Sequence, residues 1–273
     1  MSRKTRTGRH YTEPPPFARG VMRHLAITLA TAAVLATVFT AWTPAGLSPS
    51  ELAGQLAAAL EGKPTEPPVF YFPSTGLTDQ GELRVGIVIG HSGPNPDTGY
   101  ADPGAQCPDG LTELMINQAV GDLVKSTLEA AGLAVDVLEE WDDRLMGYRA
   151  VALVSIHADS CEPSGEYATG YKVTAAVETK VQDKAQRLVA CMIDRYGRAT
   201  DLRYHPYSIT IDMTEYHTFR EIHPQTPAVI IETGFMYLDR EFLTQHPEMV
   251  ARGIADGILC YVNNEPIDQD WED

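Results

Sequence analysis

Apolar and polar positions change their spacing several times along the chain, and each change marks an element. From Leu25 to Trp42 eighteen residues pass without a charge. At about 1.5 Å per residue this run nearly crosses a hydrocarbon core of about 30 Å. Ser48-Pro49-Ser50-Glu51 then carries a capping pattern, Leu52, Leu56 and Leu60 follow four apart, and Gly62 and Pro64 stop this short helix. Residues 63–82 are rich in Pro, Gly, Thr and Ser and read as linker. From Leu83 the texture changes. Val85–Ile89 is a β-branched run ending in Gly90, as in a buried parallel strand. Ile116, Val120, Leu123, Val124 and Leu128 share one helical face between Glu113 and Ala131, with Gly132 as terminator. The pattern next predicts a strand over 134–138, a poorly marked turn or short helix over 141–148, and strands over 150–156 and 170–176. An amphipathic helix over 178–196 capped by Gly197 follows, then a strand over 228–231 and a helix over 247–263. Strand and helix alternate throughout. The fold class expected is therefore α/β, three-layered, with a mostly parallel twisted sheet and helices on both faces.

Charge sharpens the division into regions. The formal charge is −16, yet residues 1–24 carry six Lys/Arg against one acid, leaving 15 basic and 36 acidic residues in the remainder. The basic cluster should stay in the cytoplasm, so 25–42 reads as a single-pass signal anchor that places the rest outside the cell membrane. A cleaved signal peptide, which would make the protein secreted, is the competing reading. Both export the body. Its acidity repels nucleic-acid phosphates, which argues against a nucleic-acid partner. The divisions expected are a basic tail over 1–24, the anchor over 25–42, a juxtamembrane helix and linker over 43–82, a catalytic domain over 83–264 and an acidic tail over 265–273.

Chemistry concentrates at strand ends. His91 lies just past the first strand of this domain, His157 just past the strand over 150–156, and Glu232 just past the strand over 228–231. In a parallel sheet these ends share one rim, and Glu113 opens the helix that leaves the first strand's loop. Any one of the four reads first as a satisfied polar residue or a helix-dipole partner. Together, two His and one Glu with an open fourth position form a catalytic zinc set for one Zn2+, leaving Glu232 as base.

Four stretches carry a family resemblance: Val88-Ile89-Gly90-His91-Ser92-Gly93, Gly110-Leu111-Thr112-Glu113, Val154-Ser155-Ile156-His157-Ala158-Asp159, and Pro227-Ala228-Val229-Ile230-Ile231-Glu232-Thr233-Gly234-Phe235. In order and spacing they resemble the signature segments of the zinc-dependent N-acetylmuramoyl-L-alanine amidases (amidase type 3), over about residues 83–264. The resemblance implies that His91, Glu113 and His157 bind zinc and that Glu232 is the catalytic acid-base residue. It also implies a substrate: the amide between N-acetylmuramic acid and L-alanine in peptidoglycan. Two departures stand out. Val88-Ile89 replace an Asp-Pro usual before the glycine and first histidine, so a partner that orients His91 is either missing or supplied from elsewhere. The segment 139–149 is short where relatives often carry an Arg-bearing loop.

Arg220 and His217, before the last strand, are candidate substrate contacts, Arg220 by pairing with a carboxylate. Cys107 and Cys161 sit in loops beside Glu113 and His157 and are expected to form a disulfide. Cys191 and Cys260 border two helix faces and read equally as a second bridge or as buried thiols. Two other readings of the domain stay open: a non-catalytic wall-binding or regulatory module, and a zinc hydrolase of another amide.

Overall fold

A computed structural model describes Gly76, residues 82–163 and residues 165–267. The anchor expected at 25–42, the helix expected from Ser48, nearly all of the linker and the end of the acidic tail lie outside the described residues. Among the described residues no helix is long and apolar enough to cross a membrane.

Five strands form one sheet: β1 (Arg84–Ile89), β2 (Ala134–Glu139), β3 (Ala152–Asp159), β4 (Lys172–Ala175) and β5 (Ala228–Phe235), in the order β2-β1-β3-β5-β4. The first three and β5 run parallel, while β4 adds an antiparallel edge against β5. The inner strands β1, β3 and β5 are mostly apolar because protein covers both their faces.

The two covers differ. Val85, Ile87 and Ile89 of β1, Val154 and Ile156 of β3, and Val229 and Ile231 of β5 face a large core. That core is shared with three long helices, α1 (Glu113–Ala130), α2 (Gln182–Thr200) and, at the C-terminus, α6 (Pro247–Val262). The opposite face, carrying Val88, Leu153 and Ile230, is covered by a 3-10 turn at Asp143–Leu145, by Tyr148, and by residues of and around two four-residue helices, α3 (Ile211–Thr214) and α4 (Thr218–Glu221). Helical structure thus lies on both faces, with nearly all its length on one. The thin side is where a cavity opens.

Several expected boundaries move. The strands around His157 and Glu232 do not stop before these residues: β3 and β5 remain paired through His157↔Glu232 and, across a bulge, Asp159↔Phe235. Gly197 does not cap α2; the helix continues to Thr200 and Asp201 turns it in the left-handed conformation, φ 59°. A Cβ on Gly197 would lie 2.8 Å from the Tyr171 hydroxyl, so the glycine serves packing. Gly253 and Gly257 do the same between α6 and α2, where added Cβ atoms would meet the Cα atoms of Tyr196 and Met192 at 3.0 Å. The last helix, α6, is preceded by the short α5 (Arg240–Gln245).

Candidate metal centre

The three parallel strands β1, β3 and β5 bring their carboxyl ends together, and each supplies a side chain from or just beyond that end. The chain leaves β1 through Gly90, which is close-packed because a Cβ there would strike the His157 ring at 2.4 Å. His91 follows with a left-handed backbone, φ 64°, an uncommon conformation for a residue with a Cβ. Thr112 caps α1 by accepting from the Met115 N–H at 3.3 Å, which sets Glu113 at the first turn of that helix.

The Glu113 carboxylate lies between the two imidazoles. Its Oε2 is 3.1 Å from His91 Nε2 and its Oε1 is 3.0 Å from His157 Nδ1. Three donor atoms, one from each residue, lie within 4.8 Å of one another. This donor set fits zinc: two imidazoles and one carboxylate, converging at the floor of a cavity that leaves a further position accessible. Asn117 steadies the carboxylate at 3.3 Å and the Gly90 carbonyl oxygen at 3.1 Å.

Electrostatics follows from this packing. Burial disfavours charge on His91, but its bond to Glu113 and the nearby charges of Glu113, Glu140 and Asp102 prevail and hold its pKa up at about 9. For Glu113 burial pushes upward, and the bonds and charges of His157 and His91 draw it well below the carboxylate range. Glu232 goes the other way: burial raises it to about 7, against the attraction of His157. Its Oε2 is shut off from solvent and has no hydrogen-bond partner among the described residues.

The cavity has a volume of about 730 Å³ and is walled by the triad, Glu232, Asp159, Ser160, Tyr216, His217 and Arg220, among others. His217 has both ring nitrogens engaged, Nδ1 with Glu221 at 2.9 Å and Nε2 with Glu140 at 3.4 Å, and its ring stacks on Trp141 at 3.7 Å. Arg220 donates to the Glu215 carbonyl oxygen at 2.7 Å and also borders a second cavity of about 290 Å³, with Lys180 and His223. Asp159 is paired with the buried Lys172. Cys107 and Cys161 are disulfide-bonded and tie the loop before α1 to the loop after β3; Cys191 and Cys260 are bonded between α2 and α6.

Two residues of the site escaped the sequence reading. Glu140 directly follows β2 and is buried, accepting from the His91 N–H at 2.6 Å and from the Tyr216 hydroxyl at 3.0 Å. The strand-end reasoning that singled out His91 reaches Glu140 too, once β2 is seen to extend one residue past Leu138. Tyr216, at 3.3 Å from His157 Nε2, lies between two single-turn helices too short to leave a periodic signal.

A family model described as N-acetylmuramoyl-L-alanine amidase matches residues 85–260. No curated protein matches the chain. Among solved structures, the fold is similar to that of the N-acetylmuramyl-L-alanine amidase Ami1 of Mycobacterium smegmatis, at 19% identity and a TM-score of 0.53, covering 67% of this chain and 97% of that one. An N-acetylmuramoyl-L-alanine amidase of Clostridium difficile 630 is similar at 20% identity and a TM-score of 0.51, covering 68% and 99%. The CwlD amidase of Clostridioides difficile, solved in complex with the GerS lipoprotein, is similar at 20% identity and a TM-score of 0.50, covering 67% and 100%.

Proposed function

Because the chain belongs to the N-acetylmuramoyl-L-alanine amidase family, we propose that it cleaves the amide joining N-acetylmuramic acid to L-alanine with one zinc ion held by His91, Glu113 and His157. The enzyme class and the peptidoglycan substrate follow from the family; the donor set at the cavity supports the metal and the residue roles. Zinc bound there would polarise the scissile carbonyl and make water nucleophilic near neutral pH. Glu113, kept ionised between two imidazoles, serves as an anionic ligand. Glu232 takes the proton of the attacking water on its carboxylate and returns it to the leaving amine nitrogen. The observation that carries this role is the register partnership His157↔Glu232, which sets a buried carboxyl of pKa about 7 beside the ligand cluster.

Arg220 is the one lysine or arginine among the described residues lining the main cavity, whose other charged walls are mostly acidic. It is suited to anchor a carboxylate of the stem peptide, with His217 packed beside it as the cavity wall. Residues 25–42 tether the enzyme to the cell membrane with the catalytic domain outside, or direct its secretion if they are cleaved.

Digestion of purified peptidoglycan by the full chain tests the reading. Stem peptides with a free L-alanine amine should be released, release should stop with a zinc chelator and return with zinc, and Arg220→Ala should raise KM about tenfold with little change in kcat, as expected for about 1.4 kcal/mol of lost binding. A folded, zinc-loaded chain that releases no such peptide excludes the amidase assignment and leaves another amide or a wall-binding role.

A further inference from the structure

Three polar groups on the thin side of the sheet converge on one buried carboxylate, that of Glu140. Its Oε2 accepts the His91 backbone N–H at 2.6 Å. Its Oε1 accepts the Tyr216 hydroxyl at 3.0 Å and lies 3.4 Å from His217 Nε2. Two of the contacts bear on the metal centre. The His91 N–H belongs to a residue held at φ 64°, so the bond fixes a strained turn whose side chain presents Nε2 to Glu113. The Tyr216 contact acts through a second step. A carboxylate only accepts, so Tyr216 must donate its hydrogen to Glu140, and its oxygen is then the acceptor for His157 Nε2 at 3.3 Å. That keeps a proton on Nε2 and turns Nδ1, 3.0 Å from Glu113, toward the ligand cluster.

We propose that Glu140 is a positioning residue that anchors both histidines of the metal centre, His91 directly through its backbone N–H and His157 through Tyr216. Outer carboxylates of this kind set the ring orientation and tautomer of a histidine ligand, and losing one typically weakens metal binding by about 10–100-fold. Here a single carboxylate serves two ligands from two different strands. Trp141, stacked on His217 at 3.7 Å, and Glu221, bonded to its Nδ1 at 2.9 Å, hold that ring against the same carboxylate. The proposal rests on the metal-centre reading but not on the identity of the substrate.

The test is zinc affinity, measured on the full 273-residue chain by competition with a chromogenic chelator. An amide presents an acceptor at one end only, so Glu140→Gln must give up one of the two anchors. It should bind zinc about 10–100-fold more weakly while the zinc-free melting temperature stays within about 4 °C of the parent. Tyr216→Phe removes only the path to His157 and should weaken zinc less. Parental affinity in both single variants would overturn the proposal. If Glu140→Gln does not fold, a folded Tyr216→Phe with parental affinity overturns it equally. A parent chain that takes up no zinc would overturn the metal centre and this inference together. A chain that binds zinc as described but releases no stem peptide would remove the amidase reading and leave the role of Glu140 standing.

Discussion

Glu113 and Glu232 are the same residue type lining one cavity, and their surroundings set them apart. Glu113 is clamped by two imidazoles that hold it ionised, while Glu232, whose buried Oε2 has no hydrogen-bond partner among the described residues, is raised to about 7. Carboxyls driven apart in this way suit the proposed division into a ligand and a proton carrier. Glu232→Gln should therefore lower kcat by about 10²–10⁴-fold and leave zinc content unchanged by elemental analysis. Loss of zinc with the activity would instead make Glu232 a ligand. His91, Glu113, His157 and Glu232, which the structure brings to one cavity, stand out in the sequence because each sits at a strand end or helix start with apolar residues before or after it. Glu140 and Tyr216 do not stand out: one directly follows a strand that runs one residue beyond its expected end, and the other lies in irregular chain where neither period applies.

At the scale of elements, the long helices were read nearly whole, since helices of sixteen or more residues repeat their apolar face several times. Their ends were less secure. Gly197 carries the usual mark of a helix stop, but α2 passes through it, and the position is glycine because the Tyr171 hydroxyl occupies the space a side chain would need. The same logic governs the contact of α2 with α6. A Cβ on Gly257 would come within 3.0 Å of the Met192 Cα, so Gly257→Val should force the helices apart. Overpacking of this kind costs about 1–3 kcal/mol, or a fall in melting temperature of about 2–4 °C for each kcal/mol, measured by thermal unfolding. An unchanged melting temperature would mean that the two helices already have slack. Their close approach also explains why Cys191 and Cys260 are bonded, a pairing that the apolar faces alone left open.

Across the whole molecule, the site's charges should couple stability to pH and metal. In the zinc-free protein the His91 pKa is raised from 6.5 to about 9, so its contribution is complete below 6.5 and lost as pH rises through 9. Glu232, raised from 4.5 to about 7, acts in the same sense: its contribution is lost as pH rises from 4.5 through 7. Glu113, depressed, contributes steadily above 4.5 and does not oppose this trend. The zinc-free melting temperature should fall between pH 5 and pH 9, and the rise produced by zinc should widen over that interval, because the metal takes histidines without their protons. A zinc-free melting temperature that climbs with pH would contradict the charge arrangement. For the chain as a whole, protease added to cell-wall-stripped cells should remove residues 83–264 if the anchor at 25–42 is retained; protection of that segment would place it inside. What the sequence determined by itself was the alternation of strands and helices, the order of the chemistry-bearing residues and hence the family, because periodicity and local motifs are properties of neighbours along the chain. Only the tertiary structure decided that one face is thinly covered, that the Glu140 carboxylate reaches the His91 N–H forty-nine residues away, and that Tyr216 stands between it and His157. Those contacts depend on strand order and on the packing of short irregular segments, which no local spacing encodes.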